Sequence, residues 1–299
     1  MPIVDAPWRD ANNINNPGFM EPVNFSGDKR IFIADQFYDI NNPKRRELHR
    51  NYIRQCLDNF KDNDNVIQFI SAEFTGPLYF VNFWIDVIAE WKRETGKNPL
   101  IALSTTKDVQ DAILNDPIRS KAVNIIDIRY WHYKIDGLYA PMGGKNLAPR
   151  QHARKMKVGK VDYEQVYKAV NEYREKYPDK AVIFNASDYP KMAWAILMAG
   201  GSCAELKLED ENLLNDLPKM SVISSNDDFD MIGNSDKGYL IYGKKAGNIS
   251  INISKGKYRL YSIDKSSYRI NVEVKSLQSD GNRSIAIPDA SKVYWLKKI

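Results

Sequence analysis

The chain has 299 residues, 43% of them apolar and 27% charged, with 43 basic and 38 acidic side chains giving a net charge of +5. That is an ordinary globular composition with room for two domains, and because the two charge signs are mixed along the chain, no nucleic-acid surface is expected. No apolar run is long enough to span a membrane, and no secretory leader pattern opens the sequence. Residues 1–39 are dense in Asn, Pro and Gly with little periodicity, and Asn12-Asn13-Ile14-Asn15-Asn16-Pro17-Gly18 reads as loop. At Asn42 the pattern changes: Asn42 can cap a helix, Pro43 suits its first position, and Leu48, Tyr52, Ile53, Cys56, Leu57 and Phe60 share one predicted face.

A strand is predicted over 65–71, then a helix over 77–94 that buries Phe80, Val81, Trp84, Ile88 and Trp91 and stops at Gly96. Strand 99–104, helix 107–115 and strand 123–129 follow. A long loop is predicted from Trp131 to Lys160, then helix 162–177, strand 180–185, helix 190–199 and a short strand near 202–206. Regular alternation of apolar strands with helices predicts a parallel sheet of five strands covered on both faces. After Leu217-Pro218 the character shifts to short alternating segments punctuated by Gly243, Gly247, Gly256 and Gly281, the pattern of an antiparallel β-sandwich. The expected division is therefore 1–217 and 218–299.

The chemistry is expected at the carboxyl ends of the parallel strands, where loops are free of packing duties. Glu73 ends the first apolar run just before Gly76-Pro77, so it reads either as an acid or base or as a surface glutamate at a helix start. Asp188 follows strand 180–185 and is either a second carboxylate or a helix cap. Glycoside hydrolysis needs two such carboxyl groups flanking the scissile bond. Asp127 lies within a strand between Ile126 and Ile128 and reads as a buried, paired carboxylate with Arg129, on the same strand face, as a partner. Arg129, Trp131 and His132 are candidates for ligand contact, and Tyr130 and Tyr133 for packing. Arg150, in the long loop, suits a sugar carboxylate or a surface ion pair.

Three histidines without metal-ligand spacing predict no catalytic metal, and the absence of a glycine-rich phosphate loop predicts no nucleotide cofactor. Cys56 and Cys203, on separate predicted elements, are expected to be free, buried thiols.

Val4-Asp5-Ala6-Pro7-Trp8-Arg9, Asn12-Asn13-Ile14-Asn15, Ser71-Ala72-Glu73-Phe74-Thr75-Gly76-Pro77 and Ile126-Asp127-Ile128-Arg129-Tyr130-Trp131 resemble a bacterial, Bacteroidetes-type group of proteins from polysaccharide-degrading organisms. That group is similar to the clan A glycoside hydrolases: a (β/α)8 TIM-type barrel followed by a small sandwich labelled as collagen-binding. The resemblance covers nearly the whole chain, with motifs specific to the group rather than to a reaction. It implies a carbohydrate substrate and a periplasmic or extracellular setting. Residue by residue, Glu73 matches the acid/base ending the fourth barrel strand, with Ala72 where the clan carries asparagine. The clan nucleophile is a glutamate ending the seventh strand, where this chain reads Phe184-Asn185-Ala186-Ser187-Asp188.

Three options follow: Asp188 substitutes, Glu205 near the eighth strand contributes, or the retaining pair is absent. Trp8 joins Arg129, Trp131 and His132 as an expected sugar contact. On this alignment Met1–Asp5 would end the third strand, and the first two strand–helix units would be missing from the chain. The first expectation is a two-carboxylate glycosidase; the second is a non-catalytic carbohydrate-binding protein on a degenerate barrel.

Overall fold

The computed structural model describes residues 13–15, 18–20, 29–70, 76–144, 161–186 and 192–299, with the backbone alone over 29–33. Its contacts divide the chain into two compact units, Met1–Tyr189 and Pro190–Ile299. The first unit opens, among the described elements, with α1 (Lys29–Tyr38), where the sequence reading expected irregular chain, and α2 (Pro43–Asn59). The Asn42 side chain accepts from the Arg45 backbone N–H, so the expected cap forms.

The buried stripe of α2 is not the expected one. It runs through Arg45, His49, Ile53 and Leu57, while Tyr52 and Phe60 are exposed. Two polar side chains lie on the inner face because each has partners there: Arg45 donates to Asp39, Gly18 O and Gln36, and His49 Nε2 lies 2.7 Å from Phe37 O.

His49 is fully buried between Phe37 and Phe80, and this burial lowers its pKa from 6.5 to about 4, partly opposed by the Phe37 carbonyl. Unfolding frees the ring to take up a proton that the folded protein refuses. Its contribution is therefore complete above pH 6.5 and is lost as pH falls towards 4, by up to about 3 kcal/mol. The urea midpoint should fall over this window, and His49→Gln, which keeps a donor for Phe37 O, should flatten the fall. An equal slope in wild type and variant would show that other groups set the acid response.

The strand–helix series then runs β1 (Ile67–Ile70), α3 (Leu78–Thr95), β2 (Leu100–Leu103), α4 (Lys107–Asn115) and β3 (Ile125–Ile128). A hairpin of β4 (His132–Lys134) and β5 (Gly137–Tyr139) occupies the start of the expected long loop. It is followed by α5 (Tyr163–Lys176) and β6 (Ala181–Phe184). Gly96 closes α3 in the left-handed region at φ 69°, and Asp162 with Gln165 forms a reciprocal capping box on α5. β1, β2, β3 and β6 pair in parallel in that order, in one sheet of four strands. The fifth expected strand, near 202–206, is absent: that segment is irregular.

On one face of this sheet Ile70, Ile101, Leu103, Ile126, Ile128, Val182 and Phe184 are fully buried, with Gln68 partly so at its edge. The opposite face begins with a small apolar cluster of Ala102, Ile125 and Ile183, with Ile67, Leu100 and Ala181 only partly buried against it. Phe69, further along that face, is 39% exposed, so the described residues do not cover both faces as expected.

In the second unit, α6 (Ala193–Met198) and α7 (Glu211–Asp216) precede eight antiparallel strands. These are β7 (Ser221–Ser225), β8 (Phe229–Asn234), β9 (Gly238–Gly243), β10 (Gly247–Asn252), β11 (Gly256–Asp264), β12 (Ile270–Ser279), β13 (Asn282–Ile287) and β14 (Lys292–Lys298). Six of them form a sheet in the order β12-β11-β14-β9-β8-β7, and β10 pairs with β13. Ile249, Ile251, Ile285 and Ile287 of the smaller sheet share one buried cluster with Met231, Ile241, Tyr294 and Leu296 of the larger. The protein is thus mixed α/β, with a parallel sheet in one unit and antiparallel sheets in the other.

Both cysteines are free, but neither is buried as expected: Cys56 is partly exposed, and Cys203 is exposed at a backbone φ of 58°. No helix among the described residues is long and apolar enough to cross a membrane.

Candidate functional site at the parallel strand ends

Alternation along a strand places every second side chain on the same face of the sheet. On the partly covered face, Ile125 is followed by Asp127 and Arg129, Ala102 by Ser104, and Ile183 by Asn185. The lining of that face therefore turns from apolar to polar at the carboxyl edge. Asp127 sits at the centre of this polar layer, fully buried. Its Oδ2 accepts from Ser104 Oγ at 2.6 Å and Arg129 Nε at 3.0 Å, and its Oδ1 accepts from Asn185 Nδ2 at 2.7 Å. The expected Asp127–Arg129 pair is present, and three strand ends are tied through one carboxylate.

Behind it, Gln110 of α4 donates to Leu103 O and to Asp127 O, and its Oε1 accepts from Trp131 Nε1 at 2.8 Å. Trp131 is thereby locked into the helix side of the fold. It has no exposed surface, lies edge-on to Tyr133 and Tyr173, and has the Lys107 ammonium 4.4 Å from its ring. His132, 3% exposed, stacks on Tyr139 across the hairpin. Trp131 and His132, the expected ligand contacts, are both buried: strand β3 ends at Ile128, the chain bends at Tyr130, and both side chains pack inward. Tyr130 is buried and Tyr133 partly so, in keeping with packing. The Tyr133 hydroxyl donates to Glu172, and burial with that carboxylate beside it pushes its pKa up.

Arg129 is different: its side chain remains 31% exposed, and its guanidinium carbon lies 5.6 Å from the centre of the Phe69 ring. The hydroxyls of Thr105 and Thr106, at the end of β2, are buried without a hydrogen-bond partner among the described residues. The described part of the following loop is held close by, because Gly143 N donates to the Asp108 carboxylate. Glycine is required there, since a Cβ on Gly143 would come within 2.5 Å of Val109 Cγ2 and 2.8 Å of Thr106 Oγ1.

Glu73, Asp188, Trp8 and Arg150 lie outside the described residues. Glu205 is exposed on the irregular segment before α7. Among the described residues, no group of three or more His, Cys, Asp or Glu side chains is placed to hold a metal ion. The sequence places Ser104 and Asn185 at strand ends expected to converge but gives them no role, and it does not single out Gln110, whose available signal is its position on the helix that follows β2.

A family model described as a domain of unknown function (DUF6298) matches residues 2–220. The chain belongs to the DUF6298 family. No curated protein matches it. Among solved structures, it is similar to one described as a glycoside hydrolase, with a TM-score of 0.51 and 12% identity over 84% of this chain and 69% of that one. A family 5 glycoside hydrolase from Bacteroides vulgatus is similar at a TM-score of 0.51 and 13% identity, covering 84% of this chain and 67% of that one. At such identities the likeness is one of fold.

Proposed function

We propose that this DUF6298 protein is a glycoside hydrolase acting on a polysaccharide or oligosaccharide, with Glu73 as general acid/base and Asp188 as the second carboxylate. The observation that carries the reading is the order of the parallel sheet. β1, which precedes Glu73, and β6, which precedes Asp188, are the first and last of four consecutive strands whose carboxyl ends share one edge. The polar layer of Ser104, Asp127, Arg129 and Asn185 lies between those two strand ends. In a (β/α)8 barrel, the fourth and seventh strands stand in this relation, and catalytic groups come from the ends of several strands. The fold likeness to glycoside hydrolases supports the same reading.

In this reading residues 1–217 are the barrel-type catalytic domain, 218–299 is a β-sandwich appendage, and the setting is periplasmic or extracellular. The family match, ending at residue 220, supports that division. Arg129 is the described residue best placed for sugar contact, with Trp8 as a further contact, while Trp131 and His132 brace the strand end from the helix side.

The test is turnover of a panel of plant and host polysaccharides, followed by release of reducing ends, with the product anomer read by NMR. Turnover of one glycan class supports the reading. Saturable glycan binding without turnover would overturn it in favour of a binding protein on a degenerate barrel.

A further inference from the structure

Among the described residues, Arg129 is fixed at one end and open at the other. Its Nε is held by Asp127, itself fully buried and held by Ser104 and Asn185. Among the described residues, no group accepts from its two Nη nitrogens, and no carboxylate other than Asp127 forms an ion pair with it. The guanidinium fork is thus oriented before any ligand arrives, which lowers the entropic cost of binding. Beside it the Phe69 ring is 39% exposed. An exposed aromatic ring next to a guanidinium with two open donors fits a ligand that has both an apolar face and a carboxylate. A uronic acid residue has both: C–H groups on one ring face and a planar carboxylate that accepts two parallel N–H bonds.

We propose that Arg129 and Phe69 form a subsite for an acidic sugar, so that the substrate class is a uronic-acid-containing glycan. This rests on the carbohydrate reading above, but it is tested by binding and needs no turnover. The full chain is titrated by calorimetry against polygalacturonate, glucuronoxylan and hyaluronan, each paired with its carboxyl-reduced counterpart. Carboxymethyl dextran serves as a polyanion control.

The wild type should bind the carboxylated member of at least one pair about 10- to 100-fold more tightly than the reduced member, the range for bonds to a charged group. Arg129→Lys, which keeps a cation against Asp127 but loses the fork, and Arg129→Gln should abolish most of that preference. Their affinity for the reduced polymer should fall less than that for the carboxylated one, since a primary hydroxyl can accept a single N–H bond but not the two parallel bonds that a carboxylate takes. If Arg129→Gln does not fold, Arg129→Lys decides.

A wild type without preference in any pair overturns the proposal. So does a preference that survives Arg129→Lys, or equal binding of carboxymethyl dextran, which would trace it to overall charge. Absence of turnover on every glycan, with the Arg129-dependent preference intact, would overturn the hydrolase reading and leave the acidic-sugar subsite standing.

Discussion

Replacing Asp127 by alanine should destabilise the first unit more than any other single polar substitution in the strand-end layer, by about 3–5 kcal/mol. The carboxylate is fully buried and accepts hydrogen bonds from three side chains on three different segments. Its removal leaves the Ser104 hydroxyl, itself fully buried, without an acceptor. It also leaves Arg129 as a cation beside a void. Arg129 and Asn185 are part-exposed and can turn towards water, which pulls the cost towards the lower end of the range.

Asp127→Asn separates charge from shape. It retains one acceptor oxygen, but its amide must face either Arg129, which can only donate, or the Asn185 amide, which must flip to present its oxygen, so about 1–3 kcal/mol is expected. Urea unfolding monitored by hydrogen exchange in β2, β3 and β6 would read both variants within the unit concerned. A loss below about 1 kcal/mol for Asp127→Ala would mean that the three donors find other partners and that the layer is not held by this carboxylate.

The elements that sequence pattern revealed are those whose local signals agree with their tertiary setting. The α3 helix has its stop in Gly96, α4 spans the predicted residues 107–115, and α5 has Asp162 and Gln165 at its start. The parallel strands are apolar runs of four, and each was located within its predicted range. Where polar residues sit inside, the pattern misleads. The buried stripe of α2 includes Arg45 and His49, whose partners come from α1 and the chain before it, and no periodicity in α2 announces those partners. Strand β8 carries a similar polar residue inside: Asp230 is fully buried and is satisfied by Ser225 and Lys244.

At the candidate site, the Asp127–Arg129 pair was legible because a two-residue spacing puts both on one strand face. The fate of Trp131 and His132 was not. It depends on the chain leaving the strand direction after Ile128, and on Gln110 offering an acceptor to the indole N–H.

Glu73→Gln should lower polysaccharide turnover by about 10²–10⁴-fold while leaving glycan affinity nearly unchanged, because general acid–base assistance is lost and a neutral isostere remains. The size of the loss should depend on the leaving group. A sugar hydroxyl leaves poorly unless its oxygen is protonated, whereas a nitrophenolate needs little help. An aryl glycoside of the same sugar should therefore lose much less at the bond-breaking step than the polysaccharide does. Asp188→Asn should not show this contrast, since a nucleophile or a base for water is needed whatever leaves.

Sheet geometry sets a further condition. Three strand spacings of about 4.8 Å separate β1 from β6, about 14 Å across a flat sheet. The two carboxyl groups must approach to about 5–5.5 Å for retention or about 6.5–9.5 Å for inversion. Curvature of the sheet and the reach of the two side chains must supply the difference, and a shorter aspartate in place of glutamate at position 188 leaves more of the gap open. An inverting outcome is therefore expected, with water filling the extra space. A product anomer opposite to that of the substrate, together with the leaving-group dependence of Glu73→Gln, would fix both roles. Retention, or equal losses on the aryl glycoside and the polysaccharide, would move the second carboxylate away from Asp188 or the proton donor away from Glu73.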